Sequence, residues 1–217
     1  MIESSSRALI LNRIRQALGA AAEPARGEEA QREWRALPRG YRQNGSLTDT
    51  ERVELFEERL RHYNGTPFHS TGDVAQDIAE ILSYRGKRIL IVPPAFPQQW
   101  LPSGFMFIPD DRLSNEQLNS SDGVVTGCTL AIALTGTLVL ESSPVQGRRA
   151  ATLIPDYHLC VLRKEDILEL VPEALRKLEP LKSRPLTFAS GPSATVDIEM
   201  TRVRGVHGPR TLDVLIL

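Results

Sequence analysis

Residues 157–162, Tyr-His-Leu-Cys-Val-Leu, and the segment after them, Lys-Glu-Asp-Ile-Leu-Glu-Leu-Val-Pro-Glu-Ala-Leu-Arg-Lys-Leu at 164–178, decide the fold class. The first is an apolar run of strand length. In the second, Ile167, Leu168, Val171, Leu175 and Leu178 recur at helical spacing. Strand followed by amphipathic helix is the repeating unit of an α/β chain. Working outward, the same alternation returns. Arg88-Ile89-Leu90-Ile91-Val92 reads as a buried strand before two prolines, and residues 105–108, 123–126, 186–189 and 212–217 as further strands, with a short helix at 114–119. Upstream, Thr48-Asp49-Thr50-Glu51 has capping-box spacing, with Val53, Phe56, Leu60 and Tyr63 behind it on one face and Gly65 as a stop. A second helix is predicted from Thr71 and Asp73 through Val74, Ile78, Ala79 and Leu82. The expectation is an α/β fold with a mainly parallel sheet flanked by helices. In such sheets functional groups sit in loops at the carboxyl ends of the strands.

Composition narrows the function classes. The chain has 217 residues, 41% of them hydrophobic and 24% charged, enough material for one sizeable core. Its 26 basic and 27 acidic residues give a net charge of -1, with no overall footprint for nucleic acid or an anionic membrane. No apolar run approaches the roughly 18 residues that suggest a membrane helix, and Met1-Ile2-Glu3-Ser4 opens no signal peptide, so a cytoplasmic protein without membrane insertion is expected. Residues 1–47 read as an N-terminal amphipathic helix, carried by Leu9, Ile10, Ile14, Ala17 and Leu18, followed by an irregular linker over 19–47. Residues 48–217 read as the α/β domain.

Cys128 and Cys160 are the only cysteines, too few for a four-thiolate iron-sulfur cluster. His62, His69, His158 and His207 are dispersed, so no metal site is expected, and His158 inside an apolar strand reads as a core histidine. Three glycine-bearing segments remain. In residues 126–141, TGCTLAIALTGTLVLE, two Thr-Gly pairs flank an apolar stretch, and Gly127, Thr135 and Gly136 either gather amides and hydroxyls around an anion or simply permit tight turns. In residues 190–199, SGPSATVDIE, Ser193 or Thr195 is predicted to open a helix, so that Ser190, Gly191 and Ser193 would meet an anion at its N-terminus. There Asp197 and Glu199 are candidate acids or bases, or acids that merely stabilise a first helical turn. In residues 205–210, GVHGPR, His207 offers proton exchange near neutral pH and Arg210 a two-pronged grip on a carboxylate or phosphate. Arg149 is a second counter-charge, and Glu141, ending a strand-like run, a candidate nucleophilic carboxylate.

Taken in order, TGCTLAIALTGTLVL, RRAATLIPDYHLCVL, SGPSATVDIE and GVHGPR resemble the lactate-utilization protein C family, whose shared module is the LUD domain. The resemblance is clearest over residues 123–217, and SSRALILNRIRQAL looks like the N-terminal helix of many members. Two departures stand out. Leu134 occupies a place where many members carry an acidic residue, and Asp156-Tyr157 one where an apolar or proline-containing pair is more usual. The resemblance implies a fold similar to the ribose-phosphate isomerase, glucosamine-phosphate deaminase and CoA-transferase group. It also implies a role in oxidising L-lactate to pyruvate beside two iron-sulfur oxidoreductase-like subunits.

Three expectations follow. The first is an accessory subunit that carries no cofactor itself and binds a small carboxylate or phosphate through Gly127, Thr135, Gly136, Arg149, Ser190, Gly191, Ser193 and Arg210. The second is a free-standing enzyme acting on a sugar phosphate or CoA thioester, with Asp197, Glu199, His207 or Glu141 as catalytic groups. The third is an interaction scaffold that docks through its N-terminal helix. A homo-oligomer is compatible with each.

Overall fold

The computed structural model describes residues 6–17, 24–38, 40–196, 202–204 and 208–217. The chain divides into two units, residues 1–42 and 43–217. In the first, α1 (Ser6–Ala17) is the helix that the apolar spacing predicts. A second helix, α2 (Pro24–Ala36), occupies part of the stretch expected to be irregular. Its sequence, PARGEEAQREWRA, is rich in strong helix formers and opens on proline, which the first helical position tolerates. It has no apolar stripe, so periodicity could not reveal it.

In the second unit, α3 (Asp49–His62) starts at the predicted capping box: Thr48 Oγ1 accepts from the Glu51 amide, and Glu51 accepts in return from the Thr48 amide at 2.8 Å. Then come β1 (Thr66–His69), α4 (Val74–Tyr84, capped by Asp73), β2 (Ile89–Val92), β3 (Met106–Pro109) and α5 (Asn115–Asn119). Next are β4 (Gly123–Gly127), β5 (Leu130–Ile132), β6 (Thr137–Glu141) and β7 (Tyr157–Leu162). The chain continues through β8 (Ile167–Leu168), α6 (Val171–Leu178), β9 (Leu186–Ala189), β10 (Ala194–Val196), β11 (Arg202–Arg204) and β12 (Thr211–Ile216).

Two local readings change. The helix expected over 164–178 begins only at Val171, and Ile167–Leu168 is instead a strand beside β5. Pro172 is the reason: it has no amide hydrogen to give, so it fits the first turn of a helix and would break one running from Lys164. The helix expected to open at Ser193 or Thr195 is absent. Residues 194–196 pair antiparallel with 202–204 as a hairpin, the outcome that β-branched Thr195 and Val196 favour.

A six-stranded sheet in the order β1-β12-β7-β4-β2-β3 is parallel throughout, as the strand-helix alternation requires. A second sheet, β8-β5-β6-β9, packs on one face of it. Cys160, Leu162, Leu212, Val214 and Ile216 of the parallel sheet meet Leu138 and Leu140 of β6 and Phe56 and Leu60 of α3 there. The opposite face presents Val125, Leu159, Val161 and Leu215 to Ile78 and Leu82 of α4.

Among these apolar side chains lies Asp213, completely buried. Arg85, just past α4, donates to both its oxygens from Nε at 2.8 Å and Nη2 at 2.7 Å, and the Tyr157 hydroxyl donates at 3.0 Å. Removing the partner of a buried charge leaves it uncompensated. Arg85→Ala is therefore expected to lower unfolding free energy in urea by roughly 3–5 kcal/mol. The double change Arg85→Ala with Asp213→Asn should recover part of that loss. Equal stability of wild type and single variant would show that the pair does not hold the sheet.

Candidate functional site

The parallel sheet and the second sheet part at the amino ends of β7 and β12, leaving a pocket of about 250 Å³. This is the opposite end from the one expected for a parallel sheet. His158, the second residue of β7, sits in register with Leu212 of β12, and both side chains line the pocket with Leu140 of β6. Arg149 and Thr152 approach from the loop before β7, and the turn Ser190–Ser193 approaches from the end of β9. Gly208 and Pro209 close the remaining side.

His158 is 3% exposed, with Nε2 lying 2.8 Å from Thr126 Oγ1. Burial, and after it the charge of Arg149, push its pKa down to about 4, so the ring is neutral at physiological pH. Arg149 is exposed, holds the Thr152 hydroxyl at 3.4 Å, and pairs with no carboxylate among the described residues. Among the described residues the site thus sets one guanidinium without a carboxylate partner near a neutral imidazole. Hydroxyls complete it. Ser190 Oγ lies 2.7 Å from Thr137 Oγ1, which lies 2.7 Å from Thr135 Oγ1, a chain running from the pocket wall into the β5–β6 hairpin.

Four of the predicted ligand residues line this pocket: Arg149, Ser190, Gly191 and Ser193. The others lie elsewhere. Thr135 joins the pocket only through Thr137. Gly136, at φ 57°, sits where a Cβ would come within 2.8 Å of the Arg59 backbone, so its lack of a side chain serves the packing of α3. Gly191 also carries a packing constraint, since a Cβ there would lie 2.5 Å from Cβ of Tyr63. Gly127 ends β4, its carbonyl facing the Cys160 thiol. Arg210 lines a separate cavity. Among the catalytic candidates, Asp197, Glu199 and His207 lie outside the described residues. Glu141 is buried at the end of β6 and ion-paired with Arg184.

Ser193 does not present a free amide at a helix start, because its N–H donates to the Pro209 carbonyl at 2.8 Å. Cys128 points its thiol at the carbonyls of Leu130 and Val139, consistent with packing. Sequence reasoning missed His158, Thr126 and Thr152 as site residues. A usable signal existed: His158 and Thr126 are polar residues on neighbouring apolar strands and face the same side.

The sequence profile described as LUD domain matches residues 108–217, a span that contains every wall of this pocket. A protein of Deinococcus radiodurans named lactate utilization protein C is 41% identical over 186 residues, covering 84% of this chain and 86% of that one. The chain belongs to the lactate utilization protein C family. A further relative, the uncharacterized protein YkgG of Escherichia coli, is 38% identical over 117 residues, half of each chain. A crystal structure of a DUF162 family protein from Deinococcus radiodurans superposes with a TM-score of 0.68 at 35% identity, over 79% of this chain and 99% of that one.

In this member of the family the state of His158 has a pH consequence. The unfolded imidazole takes up a proton below about 6.5, whereas the folded ring resists until about 4. The unfolded state therefore binds more protons in that window, and stability falls as pH drops through it. From about pH 7 to about pH 5 this one group should cost about 2 kcal/mol in urea unfolding. His158→Gln should lose less than half as much as wild type over the same interval. Identical losses would mean that the ring is not held neutral.

Proposed function

We propose that the protein is a subunit of an L-lactate utilization system, in which its pocket binds a small carboxylate such as lactate or pyruvate. The name of the Deinococcus relative, aligned over most of both chains, supports the pathway. The observation that carries the ligand class is Arg149, without a carboxylate partner among the described residues, beside a buried neutral His158. A guanidinium grips a carboxylate through two parallel hydrogen bonds. A neutral imidazole adds one donor or acceptor for the neighbouring hydroxyl or keto oxygen without a competing charge. The volume suits a three-carbon acid, and the hydroxyls of Thr152, Ser190 and Ser193 offer further polar contacts.

Such a pocket binds and orients; it does not carry electrons. Two cysteines cannot supply the four thiolates of an iron-sulfur cluster; on the family resemblance, the electrons of lactate oxidation pass through two iron-sulfur oxidoreductase-like partner subunits. This chain contributes ligand handling or assembly beside them. Glu141 pairs with Arg184 and does not line the pocket, whose described lining holds no carboxylate to serve the acyl-transfer alternative as nucleophile.

The test combines binding and growth. Calorimetry with L-lactate and pyruvate should give saturable binding to wild type, weakened at least tenfold, about 1.4 kcal/mol, in Arg149→Ala at unchanged thermal stability. A deletion strain should lose growth on L-lactate and regain it with the wild-type gene, but poorly with Arg149→Ala. Full lactate oxidation by the two partners without this chain would sink the subunit reading. Equal affinity in wild type and variant would sink the assignment of the pocket.

A further inference from the structure

Arg210 was expected to share one pocket with Arg149, yet it faces a second cavity of about 480 Å³ at the same end of the parallel sheet. That cavity is lined by Arg61, Arg85 and Arg210 with Asn64, Thr66 and Thr211, and among the described residues no carboxylate forms part of its wall. The fold brings these residues together from three directions. Asn64, in the left-handed conformation at φ 67°, turns the chain out of α3 into β1, and so sets Arg61 beside Thr66. Arg85 comes from the end of α4. Arg210 and Thr211 come from the start of β12, the neighbour of β1.

Each guanidinium has donors to spare. Arg85 spends Nε and Nη2 on Asp213 and Thr66, which leaves Nη1 without a hydrogen bond among the described residues. Arg61 spends, among the described residues, only Nη2, on Glu57, and its side chain is 57% exposed. Arg210 has Asp156 no nearer than 3.7 Å, too far for a hydrogen bond, and is 63% exposed. Thr66 Oγ1 accepts from Arg85, so its own hydroxyl hydrogen is available to a ligand. The carboxylates that balance these arginines stand behind or beside them rather than in the cavity. A monocarboxylate has one charge and two oxygens to offer three guanidinium groups. A phosphate monoester offers about two charges and three terminal oxygens, which match both the charge and the donors.

The geometry points to a second ligand site, separate from the carboxylate pocket, at which Arg61, Arg85 and Arg210 bind a dianionic phosphate group. The phosphate comes either as inorganic phosphate or as the monoester of a small metabolite. The two sites are independent in charge, and each has its own exposed arginine.

Phosphorus-31 NMR and calorimetry on the full chain, in about 150 mM sodium chloride to screen loose surface pairing, test the site with inorganic phosphate and with ribose 5-phosphate. Saturable binding is expected, weakened at least tenfold in Arg210→Ala and in Arg61→Ala, and unchanged in Arg149→Ala. Arg210→Lys, which keeps the charge and loses the fork, should fall between wild type and Arg210→Ala. Tighter binding of the ester identifies a phosphorylated metabolite; tighter binding of inorganic phosphate identifies the free ion; either supports the site. No saturable binding of either probe overturns it, as does a loss confined to Arg149→Ala. Lactate or pyruvate binding that persists in Arg210→Ala keeps the failure of this site distinct from the failure of the carboxylate pocket.

Discussion

The carboxylate of Asp213 is completely buried in β12, the strand that joins β1 to the rest of the parallel sheet. A carboxylate tolerates that position only when its oxygens are filled with donors. Arg85 fills two positions and Tyr157 a third. Burial first, and then the neighbouring carboxylate, raise the pKa of Tyr157, so the phenol stays a donor throughout the physiological range. The three groups come from α4, β7 and β12 and can meet only in one arrangement of those elements. A slip of β12 by one residue would turn Asp213 to the opposite face, the one packed by Phe56, Leu60 and Leu138, and away from Arg85 and Tyr157.

That register is also the register of the candidate site. With Asp213 turned to one face, Leu212 and Val214 must turn to the other, and Leu212 then lies opposite His158 on the pocket side. Face and depth together set the protonation state of the imidazole: it is far enough inside to be stripped of water, and near enough to Arg149 for the cation to oppose a second positive charge. The pocket therefore keeps its positive charge on the outer, exposed arginine and a neutral hydrogen-bonding ring beneath it. A buried ion pair on the far side of the sheet and a neutral histidine on the near side are two results of one alternation.

Much of this was legible in the sequence where local chemistry decides the outcome. The strands at Tyr157–Leu162 and Leu186–Ala189 announce themselves as bounded apolar or β-branched runs, and the start of α3 as a reciprocal hydroxyl-carboxylate pair. The helix at Pro24–Ala36 was not legible because a helix without an apolar face leaves no periodicity. The late start of α6 was hidden because Ile167 and Leu168 continue a helical spacing that Pro172 forbids. In the site, the Ser-Gly-Pro-Ser turn and Arg149 could be read from residue type. The role of Gly136 could not, since its reason is the Arg59 backbone, far away in the chain. His158 was read as a core residue, and it is buried. Alternation says that a side chain points inward, but which inward face borders a cavity depends on the second sheet.

The separation of Arg149 from Arg210 shows how little backbone is needed to place two arginines in two cavities. Pro209 is held on the pocket side by the amide of Ser193, at 2.8 Å. The next two amides, of Arg210 and Thr211, both donate to the carbonyl of Asp156, at 2.8 and 3.1 Å. The chain is thus fastened to opposite neighbours within three residues, and the side chain after Pro209 leaves on the side of β1 and α3 rather than toward Arg149. Proline is suited to this position because it has no amide hydrogen of its own to satisfy while its carbonyl accepts from Ser193. Two cations that the sequence places in one motif-rich half of the chain thereby line two separate cavities, Arg149 one and Arg210 the other.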